Sequence, residues 1–157
     1  MNRLVLTGLL ASVLVVATSE STFRKDANAQ SFQRNRPDLN GLLIRNPGNG
    51  MIFWVDNGQR RHISSPSVYR RLFVTRDRDY LDTDAIEPGP PITDNNRLVR
   101  CGENGHPLKN RAYLLDRGSK RHVVSPSAVN KNNLNWNGVS NIDCPVLATI
   151  PDGSPIR

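Results

Sequence analysis

Asp56, Gly58, Arg61 and His62 recur sixty residues later as Asp116, Gly118, Arg121 and His122. Residues of these types at this spacing open a small set of chemistries. An arginine beside a carboxylate forms a charge-assisted ion pair, or turns outward and holds an anion with its planar fork. Two histidines in equivalent places suggest a shared metal. Zinc, however, asks for three or four converging protein ligands, and His106 is the one further imidazole, so neither metal nor cofactor is expected. If Asn57-Gly58 closes a two-residue hairpin, then Asp56 faces Gln59, Val55 faces Arg60, Trp54 faces Arg61 and Phe53 faces His62. Alternation along the strands then puts Asp56, Trp54 and Arg61 on one face. Arg61 can lie across the Trp54 ring while reaching Asp56. In the second copy Leu114 stands where Trp54 stands in the first. His62 and His122 are expected to pack on Phe53 and Tyr113. For Arg61 and Arg121 two roles stand open: bracing the hairpin, and recognising an anionic group.

These residues belong to a tandem repeat. Ile52–Ser67 and Ala112–Ser127 agree at seven of 16 positions, with Phe/Tyr, Val/Leu, Arg/Lys and Ile/Val exchanges at four more. The flanks answer one another too: Leu43-Ile44-Arg45 with Leu98-Val99-Arg100, and Ile86–Ile92 with Ile150–Ile156. Each unit reads as a strand, a hairpin, a short helix and a loop leading onward. Ser65-Pro66 and Ser125-Pro126 are N-caps followed by proline at the first helical position, which predicts helices near Pro66–Leu72 and Pro126–Lys131. Asp82-Thr83 and Asp143-Cys144-Pro145 can each cap a further short turn. Arg117-Gly118 requires a positive φ at arginine. The expected fold is mainly β with short helices (α+β), two hairpin-plus-helix repeats packed about a pseudo-twofold axis, because one such unit buries too little surface alone.

The division expected along the chain is a signal peptide at 1–29, a linker at 30–40, repeat 1 at 41–93 and repeat 2 at 94–157. Met1-Asn2-Arg3 followed by the uncharged run Leu4–Ala17 has the secretory pattern. The run is short for a permanent membrane anchor, so no stable insertion is expected after cleavage at Ala29 or, alternatively, Ser19. The whole chain of 157 residues carries +7; removing residues 1–29, with Arg3, Arg24, Lys25, Glu20 and Asp26, leaves +6. Export, extracellular or periplasmic, suits Cys101 and Cys144 to a disulfide, two free thiols being the other state. The basic balance favours an anionic partner, and outside the cell an acidic envelope polymer is a better candidate than nucleic acid.

The repeat resembles one found in tandem in bacterial secreted and surface proteins, of the form aromatic-x-aliphatic-Asp/Glu-x-Gly-x-Lys/Arg-Arg-x-aliphatic with a short helix and a Pro-x-Gly return. Phe53–Ile63, Tyr113–Val123 and the returns at Pro88 and Pro151 carry the likeness. It implies an envelope-associated module and no particular activity.

Among catalytic signatures, Gly-x-Ser-x-Gly, His-Glu-x-x-His and a phosphate-cradling glycine loop are all missing from the sequence. Asp77, Asp79, Asp82 and Asp84 are dense enough for a calcium loop but lack its glycine and terminal glutamate, and read as a solvated loop. The leading expectation is a secreted, non-catalytic binding or structural module for an envelope glycan or another anionic polymer. Its contacts would be Arg60, Arg61, Lys120, Arg121 and Trp54, with Asp56, Asp116, His62, His122, Gly58 and Gly118 as structural residues. Trp136, flanked by Asn133, Asn135 and Asn137, is either a sugar platform or a filler between repeats. A protein-binding factor or inhibitor acting through the loop His106–Arg111 is the alternative, and a small secreted hydrolase the second alternative.

Overall fold

The computed structural model describes residues 33–74 and 76–157. The expected signal peptide lies outside them. Residues 33–40, expected as linker, run along repeat 1: the Arg34 amide donates to the Ala85 carbonyl, the Glu87 amide donates to the Arg34 carbonyl, and the Arg36 amide donates to the Gly58 carbonyl.

The fold is mainly β with three short helices among the described residues, an α+β arrangement. In repeat 1, β1 (Leu43–Arg45), β2 (Ile52–Asp56) and β3 (Gln59–Ile63) form an antiparallel meander. Two parallel strands widen it, β4 (Arg78–Asp79) beside β1 and β5 (Pro88–Ile92) beside β3. Repeat 2 builds β6 (Arg97–Arg100), β7 (Ala112–Asp116) and β8 (Ser119–Val123) the same way, with β9 (Ser140–Asn141) parallel to β6.

The hairpin register is the expected one. Phe53 pairs with His62, Trp54 with Arg61, Val55 with Arg60 and Asp56 with Gln59; Tyr113–Asp116 pair with His122–Ser119 identically. Asn57 (φ 52°) and Gly58 (φ 76°) make a turn with both residues left-handed, and Arg117 (φ 50°) and Gly118 (φ 75°) repeat it. A turn of this kind matches the right-handed twist of the flanking strands. The helices α1 (Pro66–Leu72) and α2 (Pro126–Lys131) begin where the caps predict, Ser65 accepting from the Val68 amide and Ser125 from the Ala128 amide. The third helix, α3 (Cys144–Thr149), also starts with proline in its first turn.

Neither β2 nor β7 has a solvent face. Trp54 and Leu114 join Leu43, Leu72, Phe73, Ile92, Leu98, Leu134 and Ile156 in one core shared by the two repeats. On the opposite faces, Phe53 and Val55 pack with Ile44 and Ile86, while Tyr113 packs with Val99, Leu147 and the cysteines. Cys101 and Cys144 are disulfide-bonded, which ties α3 to the end of β6.

Between the repeats, the asparagine-rich stretch after α2 carries much of the backbone contact. The Val74 amide donates to the Asn133 carbonyl and the Asn135 amide to the Leu72 carbonyl, both at 2.8 Å. The Asn133 and Asn135 side chains donate to the carbonyls of Gly41 and Arg70.

Candidate functional site

The two recurring Asp–Arg pairs meet. Arg61 donates from Nη1 to Asp56 Oδ2 (2.9 Å) within its own hairpin, and from Nη1 and Nη2 to both carboxylate oxygens of Asp116 (2.8 Å each) in the other repeat. Arg121 does the reciprocal, gripping both oxygens of Asp56 and reaching Asp116 at 3.3 Å. Each Nε is occupied as well, Arg61 donating to the Pro90 carbonyl and Arg121 to that of Ser154. Both guanidinium carbons lie over the single Trp54 ring, 5.8 and 5.9 Å from its centroid. Charge-assisted, two-pronged pairs of this kind are the strong ones, and the four charges sum to zero.

Burial pushes the Asp116 carboxyl up, yet the Arg61 ion pair, the Asn96 hydrogen bond and Arg121 outweigh it and hold the group at about 2. Burial likewise opposes the charge on Arg121, but Asp56 and Asp116 raise its pKa above the ordinary value.

The returns, Pro88-Gly89 in repeat 1 and Pro151-Asp152-Gly153 in repeat 2, each need their glycine. A Cβ on Gly89 would stand 2.9 Å from Cβ of Gln59 and 3.1 Å from Cγ of Arg61; one on Gly153 would stand 3.0 Å from Cγ of Arg121. Glycine is needed there because the return strand lies directly on the stem of the buried arginine.

This geometry corrects the ligand contacts expected from the sequence. Arg61 and Arg121 are 2% and 5% exposed, and Trp54 is fully buried. They span the repeats and present nothing to a partner. The open question about the two arginines thus resolves toward bracing, with a cross-repeat half that the hairpin register alone does not contain. Lys120 is buried, its ammonium on the Ile150 carbonyl and on Asp152. Arg60 is half-buried over the Phe53 ring and pairs with Asp84. His62 and His122 lie against Phe53 and Tyr113, with ring centroids 5.6 and 5.3 Å apart.

Three of the four aspartates of the 77–84 loop are bound to arginines: Asp77 and Asp79 to Arg45, Asp84 to Arg60. Asp77 also accepts from the Tyr69 hydroxyl, whose pKa burial and that bond push up to about 12. Cys101, Cys144 and His106 do converge, their ligating atoms within 4.8 Å. The sulfurs are bonded to each other, which removes the thiolates that a metal would take.

An open pocket of about 680 Å³ lies elsewhere, between β8, α2 and the turn after it. Val123, Val124, Pro126 and Val129 give it an apolar floor, and Arg111, His122, Asn110 and Asn130 bring polar groups to its edge. Trp136, 48% exposed, forms a wall. This size and mixture is typical of small-ligand sites. The Arg111 side chain is exposed and makes no hydrogen bond or ion pair among the described residues. Burial, followed by the charge of Arg111, lowers the His122 pKa against the opposing pull of Asp152, so the imidazole is neutral at pH 7. Trp136 was the residue in the sequence that pointed here. Arg111 enters the sequence reading only as the end of the loop His106–Arg111, and Val129 carries no motif.

No protein family, curated protein or solved structure matches the chain. The fold and the site define a small disulfide-stapled α+β module of two repeats, whose internal charges are spent on each other and whose pocket belongs to the second repeat. Among the described residues, no helix is long and apolar enough to cross a membrane.

Proposed function

We propose that this chain is an exported, non-catalytic binding module of the cell envelope, that its ligand is a glycan bearing anionic groups, and that its repeats pack about a pseudo-twofold axis. The pocket walled by the exposed Trp136 beside Arg111, which has no ion pair among the described residues, carries the reading. An aromatic face with water on one side suits the flat C–H face of a sugar ring. Arg70, Arg76 and Arg78, exposed and without ion pairs among the described residues, supply a basic surface for a charged polymer. The carboxylates best placed to act as a pair, Asp56 and Asp116, are each held by two guanidiniums, which suits bracing and not acid–base work. The disulfide fits an oxidising compartment.

Co-sedimentation with insoluble envelope polysaccharide tests this. Retention should fall with rising salt and should weaken in W136A. Failure to sediment, or retention indifferent to both changes, defeats the reading.

A protein-binding role has one observation in its favour. The loop 102–111 is pinned at its base by the disulfide and by the bridge between Cys101 and Lys109, and pre-organised loops bind at lower entropic cost. Shortening that loop at 104–107 alone, with the pocket residues Asn110 and Arg111 kept, would then abolish capture of a protein and leave polysaccharide retention intact.

A further inference from the structure

The repeats differ where the pocket opens. At the offset of sixty, Val129 stands where repeat 1 has Tyr69, Arg111 where it has Met51, and Val124 where it has Ser64. In repeat 1 the Tyr69 side chain is buried, its ring centroid 6.4 Å from that of Phe73 and its hydroxyl 2.6 Å from Asp77. Valine lacks the phenol ring altogether, so the corresponding corner of repeat 2 is left unfilled and lines the pocket. The same divergence that removes the plug introduces a guanidinium at the rim.

We infer that this corner is a subsite for a carboxylated pyranose, a uronic-acid-type unit of an acidic glycan, with the sugar ring against Trp136 and its carboxylate on Arg111. The inference rests on the glycan reading above and adds the sugar class and the repeat that takes it. A pyranose has a face on which C–H groups gather into an apolar patch, and hydroxyls around its edge. Trp136 offers the first a flat partner, and Asn110 and Asn130 offer the second amide donors and acceptors. Neutral His122 can donate and accept as well. The guanidinium fork matches the two oxygens of a carboxylate, and a neutral sugar leaves it unused. One cation with no ion pair among the described residues suits one monoanion; a polyphosphate or a nucleic-acid strand calls for several converging cations. The volume of about 680 Å³ is in the range of sites for small ligands.

The test uses the oxidised full chain and two probes of equal length, trigalacturonate and a neutral trisaccharide, followed by calorimetry and ligand-observed NMR. Wild type should bind trigalacturonate more tightly than the neutral probe. V129Y installs the side chain that repeat 1 already accommodates at this place, so it fills the pocket while near-UV dichroism and the denaturant midpoint stay native-like; binding should weaken at least about tenfold. W136A and R111Q alter exposed side chains and are not expected to unfold the chain. W136A should weaken both probes, and R111Q should remove the preference for the acidic one. The inference is overturned by no binding of trigalacturonate, by undiminished binding in a native-like V129Y, or by an acidic preference that survives R111Q. If wild type and V129Y sediment equally with envelope polysaccharide, the subsite falls and the glycan reading stands. If neither sediments, both fall.

Discussion

Replacing Asp116 by asparagine is the sharpest probe of the charged junction. Asp116 is 3% exposed and accepts from both terminal nitrogens of Arg61, from Nη1 of Arg121 and from Nδ2 of Asn96 at 3.0 Å. Asparagine keeps the shape and removes the charge, so a cluster summing to zero becomes +1 among guanidiniums that water scarcely reaches. Removing one partner of a buried ion pair costs about 3–5 kcal/mol, a large share of the roughly 5–15 kcal/mol that keeps a domain folded. Urea unfolding of the oxidised chain at pH 7 reads this as a fall in midpoint at constant slope. The pH dependence gives a second reading. The folded Asp116 pKa of about 2 lies below the ordinary 3.8, so its contribution is complete above 3.8 and is lost as pH falls toward 2. By linkage that contribution is on the order of a few kcal/mol. Wild type should therefore lose stability steeply between these values, and D116N should be flatter there. Exchanging both members, R61M with D116L, should cost less than D116N alone, since apolar replacement of a whole pair is often near neutral. A loss under about 1 kcal/mol in D116N, with the acid slope unchanged, would refute the claim that this junction holds the repeats together.

Three further outcomes are expected. Breaking the disulfide with C101S/C144S should lower stability by roughly 4 kcal/mol on chain-entropy grounds, seen as a lower thermal midpoint with an unaltered far-UV spectrum at low temperature. S65A and S125A should each cost about 1 kcal/mol by leaving the Val68 or Ala128 amide without its cap, and glycine at the same positions only a few tenths; chemical denaturation measures both. His122 titrates below its ordinary value of 6.5, so the stability it contributes is present above 6.5 and is lost as pH falls through the lower folded value. H122Q should remove that part of the pH dependence, and the imidazole NMR shifts of wild type should report the lowered midpoint directly.

Local structure was legible because it is set by neighbours in the chain. Asn57-Gly58 dictates the hairpin, and with it the pairing of Trp54 with Arg61. Serine before proline dictates both helix starts. Two cysteines in a chain whose N-terminus has the secretory pattern point to their union. What escaped is non-local. Period-two alternation places Asp56 and Arg61 on one face, but it does not say that this face looks onto Asp116 and Arg121. A signal was available: two Asp–Arg pairs recurring at equivalent places, amid aliphatic residues on faces that must be buried, are covered most readily by packing against one another. The asparagines around Trp136 misled for a related reason. Their amides answer the carbonyls of Gly41 and Arg70 in the other repeat, partners about 90 and 65 residues away that no local pattern reveals. The pocket depends on a missing ring at Val129, legible only once Tyr69 is seen buried in the matching place.

The chain contains two tryptophans, and the fold sets them in opposite surroundings. Trp54 is fully buried with two guanidiniums over its ring, while Trp136 is about half in water. Their emission should therefore separate into two optical channels without any label. An anionic quencher in solution would reach Trp136 and leave Trp54 bright. Dimming or restoration of the accessible component would report occupancy of the pocket, and a spectral shift of the shielded component would report separation of the repeats. The same sample could then distinguish loss of ligand from loss of structure.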